Sequence, residues 1–231
     1  MTTLRFAVEG GEPIELAATR LVVAGWTGRD RAAIEHHIEE LARIGVPRPS
    51  AVPLYYRLAA SLLTQEDRIE ALGAASSGEA EPVLVRHGGR WWLTVGSDHT
   101  DRAVETYSVV VSKQLCAKPV ARMAWRWDEV APRADALLLR SEIAEGDAWV
   151  GYQEGTLAQI RPLVELIAGL PADAPVADGL VMFCGTLSAI APAAGGEAIR
   201  PAPAMRVSIV DPVRGRTLFH EYRVGVLPMV A

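Results

Sequence analysis

Three carboxylates flank a predicted β-hairpin in the middle of the chain. Gly88-Gly89 lies between two runs rich in Val, Leu and Trp, a pattern typical of a two-residue hairpin turn. In that register Glu79 lies opposite Asp98 and Glu81 lies opposite Gly96, and side-chain alternation sets the three carboxylates on one face. Such a group calls for a cation or protons between its members, and hard oxygen ligands favour Mg²⁺, Mn²⁺ or Ca²⁺ over zinc. The alternative is a set of ordinary charges on a solvated sheet face.

A second candidate constellation lies on a helix predicted over residues 30–44. The apolar stripe of this helix consists of Ile34, Ile38, Leu41 and Ile44. His37 falls inside the stripe and Glu40 falls at its edge, three positions further on, so the two side chains can touch. A carboxylate beside an imidazole raises its basicity, which the activation of a water molecule requires. The alternative is a histidine at the helix boundary with a routine surface partner.

The elements that must position these groups are mostly strands. Strand patterns cover residues 4–8, 20–24, 136–143, 149–152, 180–184, 205–210 and 217–226, and helical spacing covers 30–44, 65–72 and 155–169. Because the helices do not alternate regularly with strands, the pattern favours a mixed, β-rich α/β fold over a doubly wound sheet. With 231 residues, half of them hydrophobic, the chain can bury a sizeable core as one domain, residues 1–231.

Composition excludes several classes of protein. A net charge of -5 with scattered basic residues argues against a nucleic-acid partner. The first residues do not follow the pattern of a secretion signal, and no apolar stretch approaches the length of a membrane span. We therefore expect a cytoplasmic protein with no membrane partner. Cys116 and Cys184 are too few for a disulfide framework, and we expect both to be reduced core thiols.

Four segments, taken in order, resemble motifs of the fumarylacetoacetate hydrolase superfamily. They are Gly28-Arg-Asp30 through His37-Ile-Glu-Glu40 to Pro53-Leu-Tyr-Tyr-Arg57; Glu79-Ala-Glu81; Ser97-Asp98-His-Thr-Asp-Arg102 with the later Lys113; and Gly185-Thr186. A tight hairpin replaces the family's longer insertion between the Glu-X-Glu strand and the third carboxylate. Leu187 replaces the proline that follows Gly-Thr in the family. The chain is thus similar to a divergent bacterial branch, such as a DUF2848-like subfamily.

The resemblance implies a fold and a metal site. The fold would be the superfamily's β-roll, with residues 1–75 as an N-terminal subregion carrying a helical lid and residues 76–231 as a metal-binding, β-rich core. Glu79, Glu81 and Asp98 would hold one Mg²⁺ or Mn²⁺ ion. We also expect a homodimer, because relatives in this superfamily are commonly dimers.

The resemblance also implies a reaction on a small-molecule substrate. The expected activity is hydrolysis of a C–C bond in a small 2-oxo acid or 1,3-dicarbonyl compound through a metal-stabilised enolate. His37 and Glu40 would activate water, and Lys113 would place positive charge near the developing oxyanion. The substrate-binding residues would be Arg102, Gly185 and Thr186.

Two other functions remain open at this point. One is a dehydratase, hydratase or decarboxylase of a 2-keto (sugar) acid, which would use the same metal-bound enolate. The other is a non-catalytic β-rich binding module, in which Lys113 and Arg102 are surface charges or salt-bridge partners and Gly185-Thr186 is a simple turn. A metal dependence of stability or activity distinguishes the enzymes from the binding module.

Overall fold

The computed structural model describes residues 1–43 and 48–230, and most of its regular structure is β-strand. The strands are β1 (Thr2–Val8), β2 (Ile14–Ala18), β3 (Arg20–Gly25), β4 (Leu54–Leu58), β5 (Leu63–Thr64), β6 (Arg68–Leu72), β7 (Ser76–Ser77), β8 (Ala80–His87), β9 (Arg90–Ser97), β10 (Thr100–Asp101), β11 (Lys118–Pro119), β12 (Met123–Arg126), β13 (Leu138–Glu145), β14 (Ala148–Thr156), β15 (Leu180–Phe183), β16 (Ala204–Asp211) and β17 (Arg216–Leu227). The α-helices are α1 (Arg31–Arg43), α2 (Arg102–Glu105), α3 (Val109–Gln114), α4 (Trp127–Val130) and α5 (Leu163–Ala168), and 3-10 helices cover Ala60–Leu62, Ala131–Ala136 and Leu157–Gln159. The predicted mixed, β-rich fold class is confirmed.

The hairpin predicted around the Gly-Gly turn is present, with the predicted register. Strands β8 and β9 pair antiparallel, and Glu81 lies opposite Gly96. Both turn glycines have positive φ, 60° at Gly88 and 69° at Gly89, which glycine adopts without a steric penalty. The Asp178 carboxylate accepts hydrogen bonds from both of their amides, at 2.8 Å and 3.1 Å. The turn is therefore stabilised by the Asp178 side chain as well as by its own two glycines.

The hairpin lies in the middle of an eight-stranded sheet with the order β2-β1-β12-β9-β8-β15-β3-β4. This sheet curls, and one of its faces carries an apolar cluster that includes Val83 and Val85 of β8. The intervening Leu84 belongs to the larger core cluster on the other face. Because β8 is buried on both faces, its sequence is a continuous apolar run rather than an alternating one.

The second sheet has five strands in the order β14-β13-β16-β17-β6 and packs against the first through the larger core cluster. The prediction of a helix over residues 65–72 was wrong, because Arg68–Leu72 forms β6, which pairs parallel with β17. Its buried residues, Ile69 and Ala71, alternate with exposed ones, as in a strand with one covered face. The helical spacing over residues 155–169 yields only the one-turn Leu157–Gln159 and the short α5, Leu163–Ala168.

The predicted helix after residue 30 is present as α1. The Asp30 carboxylate accepts hydrogen bonds from the amides of Ala32 and Ala33, at 2.9 Å and 3.1 Å, so it caps the first turn. His37 and Glu40 lie on this helix, and their side chains fall outside the described part of the structure. Among the helices of the described residues, none has the combination of length and apolar character needed to cross a membrane.

Candidate metal centre

The structure brings the three predicted carboxylates together. Glu79, Glu81 and Asp98 each offer one oxygen atom, and the three atoms lie within 4.8 Å of one another. The pairing that begins in the hairpin extends to this point, since the amide of Asp98 donates to the carbonyl of Glu79 at 2.9 Å. Glu81 is 2% exposed and Asp98 is fully buried. Three like charges at this depth require compensating positive charge or protons.

Glu81 is the carboxylate with the least compensation from the protein. Burial raises its pKa well above the usual range, and the negative charges of Asp98 and Glu79 raise it further, while Lys113 lowers it. Its Oε2 accepts a hydrogen bond from the Gly185 amide at 2.7 Å. A divalent cation beside Glu81 would therefore favour its ionised form.

Asp98 is compensated by two buried ammonium groups. Burial by itself raises the pKa of Asp98, but the charges of Lys113 and Lys118 outweigh it and lower the pKa to about 2. Lys113 Nζ donates a hydrogen bond to Oδ2 of Asp98, and Lys118 Nζ lies 3.2 Å from Oδ1. Asp98 is thus ionised throughout the physiological pH range.

Lys118 is a central residue that reasoning from the sequence missed. It is fully buried, and its ammonium donates hydrogen bonds to the carbonyls of His99, Lys113 and Cys116, at 2.5 Å, 2.6 Å and 3.1 Å. Because these three bonds use its three hydrogens, Oδ1 of Asp98 has no aligned donor among the described groups. One signal was available in the sequence, since only two of the 23 basic residues are lysines and both are at this site.

Arg102 lies at the cluster but is bound to other protein groups. Its guanidinium lies 3.4 Å from Glu79 and donates to Glu105 at 2.9 Å and to the Ser77 hydroxyl at 2.7 Å. Lys113 Nζ lies 3.9 Å from the same Glu79 carboxylate. The role of Arg102 in binding a substrate carboxylate stays a prediction. In this structure it forms an ion pair with Glu79.

Gly185 and Thr186 contact the strand that carries Glu81. The Thr186 hydroxyl donates to the Ala80 carbonyl at 2.8 Å and accepts from the Gln153 amide at 2.6 Å. Gly185 has a φ of 95°, and a Cβ there would lie 1.6 Å from Oγ1 of Thr27. The loop is therefore fixed in place, and its amide and hydroxyl position the strand that carries Glu81. Their contact with a substrate stays a prediction.

Two aromatic residues, Tyr56 and Trp26, lie next to the lysine side of the cluster, and neither is among the site residues predicted from the sequence. Lys113 Nζ lies 6.0 Å from the centre of the Tyr56 ring. Burial raises the pKa of Tyr56, while the Lys113 charge and a hydrogen bond with the Trp26 side chain lower it. Trp26 has a φ of 60°, an unusual value for a residue other than glycine that recurs at functional sites. These rings border the cluster where β3 leads into α1.

His99, the residue after Asp98, is occupied by other partners. Its Nδ1 lies 3.0 Å from the Tyr222 hydroxyl, and its Nε2 lies 2.9 Å from the Ser76 hydroxyl. Burial, with smaller contributions from the charges of Lys118 and Arg102, lowers the pKa of His99 to about 3. A neutral imidazole with both nitrogens hydrogen-bonded is a structural support beneath the site rather than a ligand.

The donor set fits a hard divalent cation. The converging ligand atoms of Glu79, Glu81 and Asp98 are all carboxylate oxygens, which suit Mg²⁺, Mn²⁺ or Ca²⁺. Oδ1 of Asp98 is buried without an aligned donor. A cation in this position would satisfy that atom and relieve the repulsion at Glu81.

Comparison with known proteins assigns this chain to a family and a fold. No curated protein matches the sequence. The fold is similar to that of Cg1458, at 12% identity and a TM-score of 0.62 over 97% of this chain and 88% of that one. It is similar to 2-keto-3-deoxy-D-arabinonate dehydratase complexed with magnesium and 2,5-dioxopentanoate, at 14% identity and a TM-score of 0.63 over 92% and 75%. It is also similar to 4-oxalocrotonate decarboxylase from Pseudomonas putida G7 complexed with calcium and acetate, at 16% identity and a TM-score of 0.54 over 91% and 78%.

These solved structures confirm the predicted fumarylacetoacetate hydrolase fold, and their low identity confirms that the chain is divergent. A family model described as "Protein of unknown function (DUF2848)" matches residues 24–222. The chain therefore belongs to the DUF2848 family.

Proposed function

We propose that the protein is a divalent-metal-dependent enzyme that acts on a small 2-oxo acid or 1,3-dicarbonyl compound. The observation that carries this proposal is the convergence of three carboxylate oxygens within 4.8 Å, two of them on buried residues. Like charges that lie close together in a core destabilise the fold. Such arrangements are typical of functional sites, where the chemistry requires them. The proposal names Glu79, Glu81 and Asp98 as ligands.

The groups around the carboxylates are suited to a negatively charged substrate. A bound divalent ion would act as a Lewis acid that stabilises the enolate of a chelating substrate. Lys113 would add a positive charge on the side bordered by Tyr56, and its ammonium is held there by Asp98. The Gly185 amide and the Lys118 ammonium would keep Glu81 and Asp98 oriented during the reaction.

Two solved structures with this fold support the substrate class. One is named a 2-keto-3-deoxy-D-arabinonate dehydratase and is complexed with magnesium, and the other is named a 4-oxalocrotonate decarboxylase and is complexed with calcium. Their names support dehydration or decarboxylation of a 2-keto acid as the second candidate reaction. The first candidate, C–C hydrolysis, requires a group that activates water, and we assign that role to His37 and Glu40 of α1.

Calorimetric titration of Mn²⁺ into EDTA-treated protein tests the site. We expect the wild type to bind one Mn²⁺ ion, oxalate to tighten that binding as a stand-in for a chelating enolate, and Glu81→Gln to abolish it. Glu70→Gln, on the exposed face of β6, is the matched control and should bind as the wild type does. Absence of binding by the wild type, or equal binding by wild type and Glu81→Gln, would leave the non-catalytic binding module as the better description.

A panel of 2-oxo acids and acylpyruvates then separates the candidate reactions. Hydrolysis of a C–C bond gives two organic products, dehydration gives one organic product, and decarboxylation gives one organic product with CO₂. Product analysis by NMR on a substrate that is turned over therefore assigns the reaction. No turnover across the panel by the Mn²⁺-loaded protein would contradict the proposed substrate class.

A further inference from the structure

We propose that Lys113 is the resident counter-cation of the carboxylate cluster, so that its charge opposes binding of the divalent ion and favours binding of an anion to the loaded site. This inference rests on the proposed function. It assigns to Lys113 an electrostatic role that acts before any chemical step. It also predicts effects of opposite sign on the two binding events.

The formal charges at the cluster cancel without a metal ion. The cluster has three carboxylates and three cations: Arg102 and Lys113 lie within 4 Å of Glu79, Lys113 and Lys118 lie within 4 Å of Asp98, and Glu81 is the third carboxylate. A proton on Glu81 would make the net charge of the cluster more positive, so Lys113 would still oppose binding of a divalent ion.

Of these cations, Lys113 is the one whose described contacts all belong to the cluster and its border. The ammonium of Lys118 is bound to three carbonyls, and the guanidinium of Arg102 is shared with Glu105 and Ser77. The ammonium of Lys113 contacts Asp98 and Glu79 and lies over the Tyr56 ring. Among the three cations, Lys113 is therefore the one whose charge should most strongly repel a divalent ion bound at the cluster.

The residue type supports this reading. The chain contains 21 arginines and two lysines, Lys113 and Lys118, and both lysines are buried at this cluster. A guanidinium would engage a carboxylate in a planar, two-point contact, whereas an ammonium is a compact point charge on a flexible stem. Near the end of the short helix α3, such a side chain brings a compact positive charge to the carboxylates of Asp98 and Glu79.

A divalent ion added to this balanced set makes the site positive. The excess is two charges for the three carboxylates and three cations, and it is one charge when Glu105, the more exposed partner of Arg102, is counted as well. On either count the loaded site repels Lys113 from the metal and attracts an anion. The interaction of Lys113 with a bound divalent ion and its interaction with a bound anion would be opposite in sign.

The test uses Mn²⁺ and oxalate as probes on the full-length wild type, Lys113→Met and Lys113→Arg. We expect Lys113→Met to bind Mn²⁺ in the absence of oxalate at least about tenfold more tightly than the wild type. We expect the Mn²⁺-saturated variant to bind oxalate at least about tenfold more weakly. Lys113→Arg keeps the positive charge but not the compact ammonium, so it should not tighten Mn²⁺ binding and should keep oxalate binding within about threefold of the wild type.

Other outcomes overturn the inference in distinguishable ways. Weakening of both binding events by Lys113→Met would show a structural role, and weaker oxalate binding with unchanged Mn²⁺ binding would show a donor to the ligand alone. In either case Mn²⁺ binding by the wild type would still support the proposed function. If the wild type binds no Mn²⁺, the proposed function fails together with this inference.

A second measurement follows the wild-type protein itself and uses a variant only to assign its signals. Because the chain has two lysines, wild-type protein labelled with ¹³C-lysine gives two side-chain signals, and Lys113→Arg assigns them by removing one. Addition of Mg²⁺ should shift the signal of Lys113 more than that of Lys118, whose ammonium is held by three carbonyls. A Lys113 signal that does not move at saturating Mg²⁺ would contradict the inference.

Discussion

The ammonium of Lys118 lies 3.2 Å from Oδ1 of Asp98 and donates its hydrogens to three backbone carbonyls instead. These two residues are the ends of the segment that carries α2 and α3. The contact offsets the charge of Asp98 without using its oxygen as an aligned hydrogen-bond acceptor. One buried side chain therefore closes the loop, stabilises an ionised carboxylate and leaves a lone pair available for a cation.

Replacement of Lys118 by methionine should destabilise the fold strongly. The change leaves three buried carbonyls without a donor and removes one of the two ammonium groups at Asp98, a loss of about 3–5 kcal/mol in the free energy of unfolding. Urea denaturation measures this free energy. Arg122→Met is the matched control, because Arg122 is an exposed residue with one distant ion pair and should change stability by less than about 0.5 kcal/mol. Equal stabilities of the two variants would show that the contacts of Lys118 with the three carbonyls and Asp98 do not stabilise the fold.

Replacement of Gly185 by alanine should displace the loop that positions Glu81. The φ of 95° is unfavourable for alanine, and the added Cβ would overlap the Thr27 side chain, with Oγ1 at 1.6 Å. We expect the free energy of unfolding to fall by about 3 kcal/mol or more. We also expect weaker Mn²⁺ binding, because the amide contact to Glu81 is lost. Gly146→Ala is the control, since it has a φ of 59° and no atom within 4 Å of the new Cβ. It should cost about 1–2 kcal/mol from backbone strain alone. A Gly185→Ala variant no less stable than the control would show that the loop tolerates movement.

The parts of the site that the sequence predicted are those with local causes. Gly88-Gly89 and the alternation along β8 and β9 determine the register, and the register alone sets Glu79 near Asp98. The helix predicted from residue 30 is likewise present, and the Asp30 carboxylate caps it. In each case the interacting groups are close in sequence or joined by a tight turn.

The parts that were missed depend on contacts between distant segments. The few residues of β6 fit both the helical and the strand period. The segment is a strand because it pairs with β17, at the far end of the chain. Lys118 has no local pattern that reveals three carbonyl partners, and no motif reveals the ion pairs of Arg102 with Glu79 and Glu105. Charge partners inside a core are set by the tertiary fold, which short motifs do not encode.

The free energy of unfolding should decrease as the pH is lowered below 7, partly because of His220. This imidazole is buried against Tyr222, and burial lowers its pKa; Asp67, Glu221 and the Glu66 backbone oppose this effect, and Arg122 adds to it. A histidine whose pKa is lowered in the fold binds its proton first in the unfolded chain, so its neutral form stabilises the fold above a pH of about 6.5. That stability is lost as the pH falls through this value towards the folded pKa, by at most about 1.4 kcal/mol per pH unit.

The measurement is urea denaturation of wild type and His220→Gln at several pH values from 7 to 5. The other titrating groups are common to both proteins, so the difference between their slopes isolates His220. We expect the free energy of unfolding of the wild type to fall more steeply. Parallel slopes would show that the folded chain protonates His220 as readily as the unfolded chain does.

Replacement of His37 by alanine should lower turnover and leave metal binding intact. If the enzyme hydrolyses a C–C bond, His37 supplies the base that activates water, and its loss should reduce kcat by about 10²- to 10⁴-fold. Calorimetry with Mn²⁺ should give the wild-type affinity, because the three proposed ligands come from the hairpin and its flank. His36→Ala is the matched control, since helical geometry directs the preceding residue away from the apolar stripe and it should retain kcat. Loss of Mn²⁺ binding in His37→Ala would make His37 a ligand or a structural residue. An unchanged kcat would favour a dehydratase or decarboxylase that needs no activated water from α1.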